Sequence, residues 1–519
     1  MRLFLLLFIA LTTSSLTFGN KILIPMDADG QTNHLKAYGI AFAAMKEGPV
    51  DWLLNYRGGS FGMTYSKKLE KLCNDRGVSF TNLKDKEYTD ITKEIKGLKY
   101  DGAMVKLEKP PRIAVYTPLS KEPWDDAVTL ALTYAEIPFD KIYIDEVLSG
   151  KLENYDWLHL HHEDFTGQYG KFWSQMRGQQ WYINDQNSAE RAAVKHSFKK
   201  VSQMQLAVLK KIVAFVGSGG NLFAMCSATD TYDIALAAEG IDICETQFDG
   251  DPMDAEAQSK LNFSKCFAFK NFTLVTSPYE YEYSNIDNTN FRRVEKDKDF
   301  FTLNAFPVNL DIVPAMLTQN HTNSIKGFMG QTTAFRKEAL KPTVLVMGES
   351  KGQNEARYIH GDYQRGSWTF YGGHDPEDYQ HSVGAPPTNL AFHNSSPGYR
   401  LILNNVLCPA VKKAAVPTVV VNEIPSKNGG KPIDEDVVFG SSESKIRIET
   451  DPATSEIKIV MPAGYSEKTV EVTVTGSDGK QTLKQTSNAK NIRINLQNLH
   501  SGVYLIQVNG QYAGKIMKD

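Results

Sequence analysis

The chain is poor in cysteine, with five in 519 residues and no pair spaced Cys-x-x-Cys. That spacing excludes a thiolate zinc ribbon, and an odd count leaves one thiol outside any complete disulfide pairing. An excess of charge of one sign is also missing: 57 Lys and Arg stand against 60 Asp and Glu, a net charge of −3. With no basic run, a nucleic-acid partner is excluded. Beyond the first twenty residues no window reaches 18 apolar residues, so no later segment reads as a membrane-spanning helix. The hydrophobic fraction of 41% and the aromatic fraction of 11% are ordinary, enough for a packed core. A length of 519 residues implies roughly two to four domains.

The start, MRLFLLLFIALTTSSLTFGN, places Arg2 before an apolar stretch from Leu3 to Leu11, then small and polar residues with Thr17 and Gly19 at −3 and −1. This pattern predicts a secretory signal over 1–19. Residues 20–105 read as a small α/β region: KILIPMD as a strand, NHLKAYGIAFAAMKEG as a helix, VDWLLNY as a strand. The main body, 106–408, repeats strand–helix–strand order through RIAVYTP, WDDAVTLALTYAEIP, KIYIDE, YDWLHLH, a helix from Ser202 to Val216 and the buried strand NLFAM. That order predicts a parallel sheet with helices on both faces. Residues 409–437, rich in Pro, Lys, Val and Gly, read as a linker. Residues 438–519 alternate apolar and polar, with SDGK at 477–480 as a hairpin turn, which predicts a β-sandwich.

Two stretches carry chemistry. In GGNLFAMCSATDTYD an apolar strand ends at Cys226 and a helix follows. Ala224 and Ala228 are small enough for a sharp nucleophile elbow, the helix N-terminus favours a thiolate, and the Ser227 backbone N–H is the natural oxyanion donor. Downstream, WTFYGGHDPED puts His374 after a strand and two glycines, with Asp375 and Glu377 close behind as carboxylates to orient the imidazole. The second stretch is HLHHEDFTG: His159 and His161 alternate on one strand face, and His162, Glu163 and Asp164 follow at its carboxyl end. Ligands gather at such strand ends in open α/β sheets. Two histidines with a carboxylate can hold zinc and activate water, and His374, Asp375 and His381 could join them.

Three resemblances follow. The C-terminal stretch VTGSDGK…NIRINLQNLHSGVYLIQVNGQYAGKIMKD, with its basic end at Lys515 and Lys518, resembles the type A sorting domain of the type IX secretion system. That implies an Ig-like sandwich, export through the periplasm and outer membrane, a partner in the secretion machinery and a secreted or cell-surface location. YDWLHLHHED…LKKIVAFVGSGGNLFAMCSATD…WTFYGGHDPE resembles the class I glutamine amidotransferase-like fold, a flavodoxin-like doubly wound parallel sheet. It implies Cys226 as nucleophile, His374 as base and Glu377, or Asp375, as its orienting acid. At whole-chain level HLKAYGIAF, VDWLLNYRGGSF, HHEDFTGQYGKF, MLTQNHT, IKGFMGQTTAFRKE and PGYRLILNNVL resemble exported bacterial proteins labelled asparagine synthetase B. The label fails chemically: position 2 is Arg2 where a synthetase has its nucleophilic cysteine, and Ser218-Gly219-Gly220-Asn221-Leu222-Phe223 lacks the Asp and second Ser of an ATP loop.

Three functions are thus expected in order: a Cys–His–acid hydrolase of an amide or related acyl group needing no cofactor; a non-catalytic surface protein binding a glycan or peptide; and a metal-dependent hydrolase on the HLHHED cluster with a divalent ion.

Overall fold

The computed structural model describes residues 21–97, 102–118, 126–289, 295–306, 308, 312–328, 330–379 and 385–411, and, of the C-terminal region, 447–451, 456–461, 469–476, 482–488, 491–499, 502–508 and 511–518. The signal segment 1–19, His381, the SDGK turn and most of the 409–437 linker lie outside them.

The N-terminal strands β1 (Lys21–Ile24), β2 (Val50–Leu54), β3 (Ser60–Thr64), β4 (Thr81–Leu83) and β5 (Ala103–Leu107) form an antiparallel sheet in the order β4-β1-β3-β2-β5. The helix His34–Ala44 is capped by the Asn33 side chain. It packs so closely on the helix Ala127–Ala135 that a Cβ on Gly39 would lie 1.8 Å from Ala135 O. Gly39→Ala is therefore expected to destabilise the fold by about 1–3 kcal/mol, read as a lower urea midpoint; an unchanged midpoint would show that the two helices can separate freely.

The main sheet has ten strands. β6 (Ile113–Tyr116), β7 (Asp140–Ile142), β8 (Trp157–Leu160) and β9 (Asn221–Met225) are followed by β10 (Phe300–Leu303), β11 (Ser324–Lys326), β12 (Phe335–Arg336), β13 (Leu345–Ser350), β14 (Glu355–Tyr363) and β15 (Gly366–Tyr371). The order is β11-β10-β13-β14-β15-β9-β8-β6-β7, with β12 on β14. β7, β6, β8, β9 and β15 run parallel, whereas β14, β13, β10 and β11 extend the sheet antiparallel. The sheet is therefore mixed rather than wholly parallel. IAVY, WLHL and NLFAM are buried at every position, as strands covered on both faces must be. The expected strand KIYIDE stops at Ile142, because the Tyr143 N–H donates to the Glu146 carboxylate (3.1 Å) and opens the short helix Ile144–Leu148.

Core residues of the N-terminal sheet, including Ile22, Trp52 and Phe61, join one hydrophobic cluster with Val115, Phe223 and Tyr371 of the main sheet and Leu403 of the helix Pro397–Leu407. The 20–105 region thus shares its core with the main body. On the opposite face the helix Val201–Gly217 buries Met204, Val208, Leu209, Ile212 and Val216, the stripe expected from helical spacing.

In the C-terminal region β16 (Arg447–Asp451), β17 (Glu456–Val460) and β20 (Asn491–Asn495) form one sheet. β18 (Val470–Gly476), β19 (Thr482–Ser487), β21 (Gly502–Val508) and β22 (Gln511–Lys518) form the other. Ile457, Ile459, Ile492 and Ile494 from one sheet and Val472, Val474, Tyr504 and Ile506 from the other meet in a single core, the two-layer packing that period-2 alternation predicts.

Candidate functional site: histidines at the strand ends

Parallel register brings the carboxyl ends of four strands to one edge: Tyr116 pairs with Leu160, Leu160 with Ala224, and Met225 with Tyr371. The residues that leave these strands are the ones that carry chemistry, namely Asp126, His161, Cys226 and His374.

Asp126 caps the helix Ala127–Ala135, its Oδ1 accepting from Val128 N (2.7 Å) and Thr129 N (3.3 Å). The same oxygen lies 3.2 Å from His159 Nε2 and 3.4 Å from His161 Nδ1. The shared face expected of His159 and His161 is thus occupied by one carboxyl group. Burial alone would raise the Asp126 carboxyl, but the two histidines outweigh it and hold it well below the usual range. His159 is fully buried, packs against the Trp157 and Phe223 rings, and its Nδ1 is 3.1 Å from Phe223 O.

His161 meets His374 ring to edge at 4.5 Å and His162 at 4.8 Å. One ring nitrogen from each of His161, His162 and His374 falls within 4.8 Å of the others. Burial, then the neighbouring His161, pushes His162 down to about 3, so it stays a neutral imidazole.

The other carboxylates of the cluster shape the loop. Glu163 Oε2 accepts from the His161 N–H at 2.7 Å, and burial pushes its carboxyl up to about 8. Asp164 accepts from Thr166 N and Gly170 N, folding the chain after the strand.

Cys226 takes a left-handed φ of 51° between β9 and the helix Ala228–Ala237, the sharp turn expected of an elbow. Its thiol donates to Gln331 O at 2.9 Å. Burial pushes it up to about 12, against the favourable Ser227 backbone N–H and with Asp230 and Asp287 adding to the rise. The acids expected to orient His374 are engaged elsewhere. Glu377 pairs with His393 Nδ1 (3.2 Å) and lies 3.9 Å from Lys326, and Asp375 Oδ1 accepts from Glu377 N (2.9 Å) and Asp378 N (3.3 Å). Sequence reasoning missed Asp126; its signal was an acidic cap at the helix that follows the first parallel strand.

Comparison with known proteins decides where the chain goes. Residues 451–518 match the secretion system C-terminal sorting domain. The protein is exported by the type IX pathway to the cell surface or extracellular space, and its partner in transit is that machinery. No helix among the described residues is long and apolar enough to cross a membrane. No curated protein matches the chain. Among solved structures, the chain is 12% identical to the cytoplasmic protein STM3548 from Salmonella typhimurium (57% of this chain, 97% of that one, TM-score 0.28). It is 12% identical to the cytoplasmic protein STM1381 from Salmonella typhimurium LT2 (58% and 100%, 0.29), and 10% identical to a β-galactosidase from Bacillus circulans sp. alkalophilus (75% and 41%, 0.23). Likenesses this slight carry no argument about activity.

Proposed function

We propose that the protein is an exported metal-dependent hydrolase of an amide or related acyl bond, with its divalent ion held by His161, His162 and His374. The carrying observation is the convergence of three imidazoles, two buried and one half-buried, from two parallel strand ends, with a carboxylate behind one of them. Three histidines with an open fourth position suit a catalytic zinc-type ion. A carboxylate behind a ligand imidazole fixes its orientation and raises its basicity. Such an ion lowers the pKa of bound water to about 7 and polarises a carbonyl. The parallel half of the sheet, taken in chain order, runs 2-1-3-4-5, which supports a flavodoxin-like reading with its site at the strand ends.

The left-handed turn at Cys226 favours a second reading, a thiol hydrolase in which Cys226 attacks, Ser227 N–H holds the oxyanion and His374 carries the proton. The two readings separate on p-nitrophenyl acetate. Under the metal reading 1,10-phenanthroline abolishes hydrolysis, Zn²⁺ restores it, and Cys226→Ala keeps the rate within about twofold, because a thiol held near 12 contributes almost no thiolate at neutral pH. Loss of the rate on Cys226→Ala, with indifference to chelation, would establish the thiol reading instead.

A further inference from the structure

Asp126, His159 and His161 form a second ligand group, and it shares His161 with the first. His159 Nδ1 faces Phe223 O at 3.1 Å. A carbonyl only accepts, so Nδ1 carries a proton. Nε2 faces a carboxylate oxygen 3.2 Å away. A proton or a metal cation must lie between two such atoms.

The same corner holds two further buried atoms that make no hydrogen bond, Asp126 Oδ2 and His161 Nε2. Buried polar groups are almost always satisfied, and a cluster of exceptions signals an ion or water. One proton on His159 would settle one contact and leave Asp126 Oδ2 and His161 bare. A cation settles them together.

We propose that a second divalent transition-metal ion sits between the Asp126 carboxylate, His159 Nε2 and His161 Nδ1, so that His161 bridges two ions. The proposal rests on the first ion of the preceding reading and extends it to a dinuclear centre. Two imidazole nitrogens and one carboxylate suit zinc, copper or nickel over calcium or magnesium. The bridging ring is an imidazolate: the N–H bond of His161 breaks, its electron pair goes to the second ion and its proton to solvent. Val128 N and Thr129 N hold the Asp126 carboxylate in place from behind, the support that ligating carboxylates generally have. In this arrangement the first ion, with His162 and His374, would take the other nitrogen of His161.

The test is metal stoichiometry on the purified full chain loaded with Cu²⁺ and desalted, with copper counted by mass spectrometry and spin counted by EPR. Two coppers per chain are expected, with an EPR intensity well below the copper content because a shared imidazolate couples the two spins. Asp126→Asn, which keeps a capping oxygen for the helix, and His159→Gln should each drop the count to one and restore full intensity per copper. Circular dichroism checks that each variant is folded, and two variants guard against one failing to fold. One copper in the wild type, unchanged by either substitution, overturns the second ion and leaves the first. Two coppers with full spin intensity overturn the bridge. No copper at all removes the first reading and this one together.

Discussion

His161→Ala is expected to strip the protein of tightly bound divalent metal and to reduce hydrolysis to background, the largest functional effect of any single substitution. His161 touches both neighbouring imidazoles and the Asp126 carboxylate, and no other side chain among the described residues joins these three. Asp126→Asn should act more mildly. It preserves the helix cap but removes the charge behind the ligand, and loss of such a partner weakens metal affinity about 10–100-fold. Isothermal titration with Zn²⁺ reads both variants on one scale. An alanine variant that still binds zinc as the wild type does would remove the histidine cluster from the mechanism. A folded His161→Ala with intact circular dichroism is required for the comparison, and alanine on a strand end with neighbours on both sides supports that outcome.

Sequence legibility followed the strength of local signals. The buried runs IAVY, WLHL and NLFAM, the helix Val201–Gly217 and the alternating C-terminal strands were legible because their periodicity is set by burial on two faces, one stripe or one face. The antiparallel extension through β10, β11 and β13 was not legible, since a run such as Leu345–Ser350 reads alike in either direction and its partner is chosen by tertiary packing. At the site, the pairing of His159 with His161 followed from strand alternation, and the arrival of His374 beside them followed from strand ends meeting at one edge. The contact of both histidines with Asp126 was hidden because it joins positions 33 and 35 residues apart through the register of β6 and β8. The elbow at Cys226 was legible in its small flanking residues, but its environment was not. Asp230 comes from the first turn of the helix that follows, but Gln331 and Asp287 reach the thiol from distant segments whose spacing carries no period.

Arg400→Leu is expected to produce the largest loss of stability, about 3–5 kcal/mol, in the range for leaving buried partners unmatched. The Arg400 guanidinium is fully buried and has no carboxylate within ion-pair distance among the described residues. It donates instead to Met26 O (3.0 Å), Gly58 O (2.9 Å) and His321 Nδ1 (3.1 Å), and so ties the N-terminal sheet to the helix Pro397–Leu407. Leucine fills the space and leaves those acceptors dry. The neighbouring His34 gives the joint a pH signature. Its Nε2 donates to Met26 O and its Nδ1 accepts from Ser395 Oγ, which fixes a neutral ring. Burial, then the Arg400 charge, holds it down at about 3, below the usual value near 6.5 for an unfolded chain. The unfolded chain therefore takes up the proton first, so this contribution is complete above pH 6.5 and declines as the pH falls toward 3. Between pH 7 and 5 the wild type should lose about 2 kcal/mol through this residue. His34→Gln should be spared that loss, read as the difference between the two proteins' urea midpoints at each pH. Parallel pH dependences would show that His34 is protonated in the fold, and the Arg400 joint would then have to accommodate two adjacent cations.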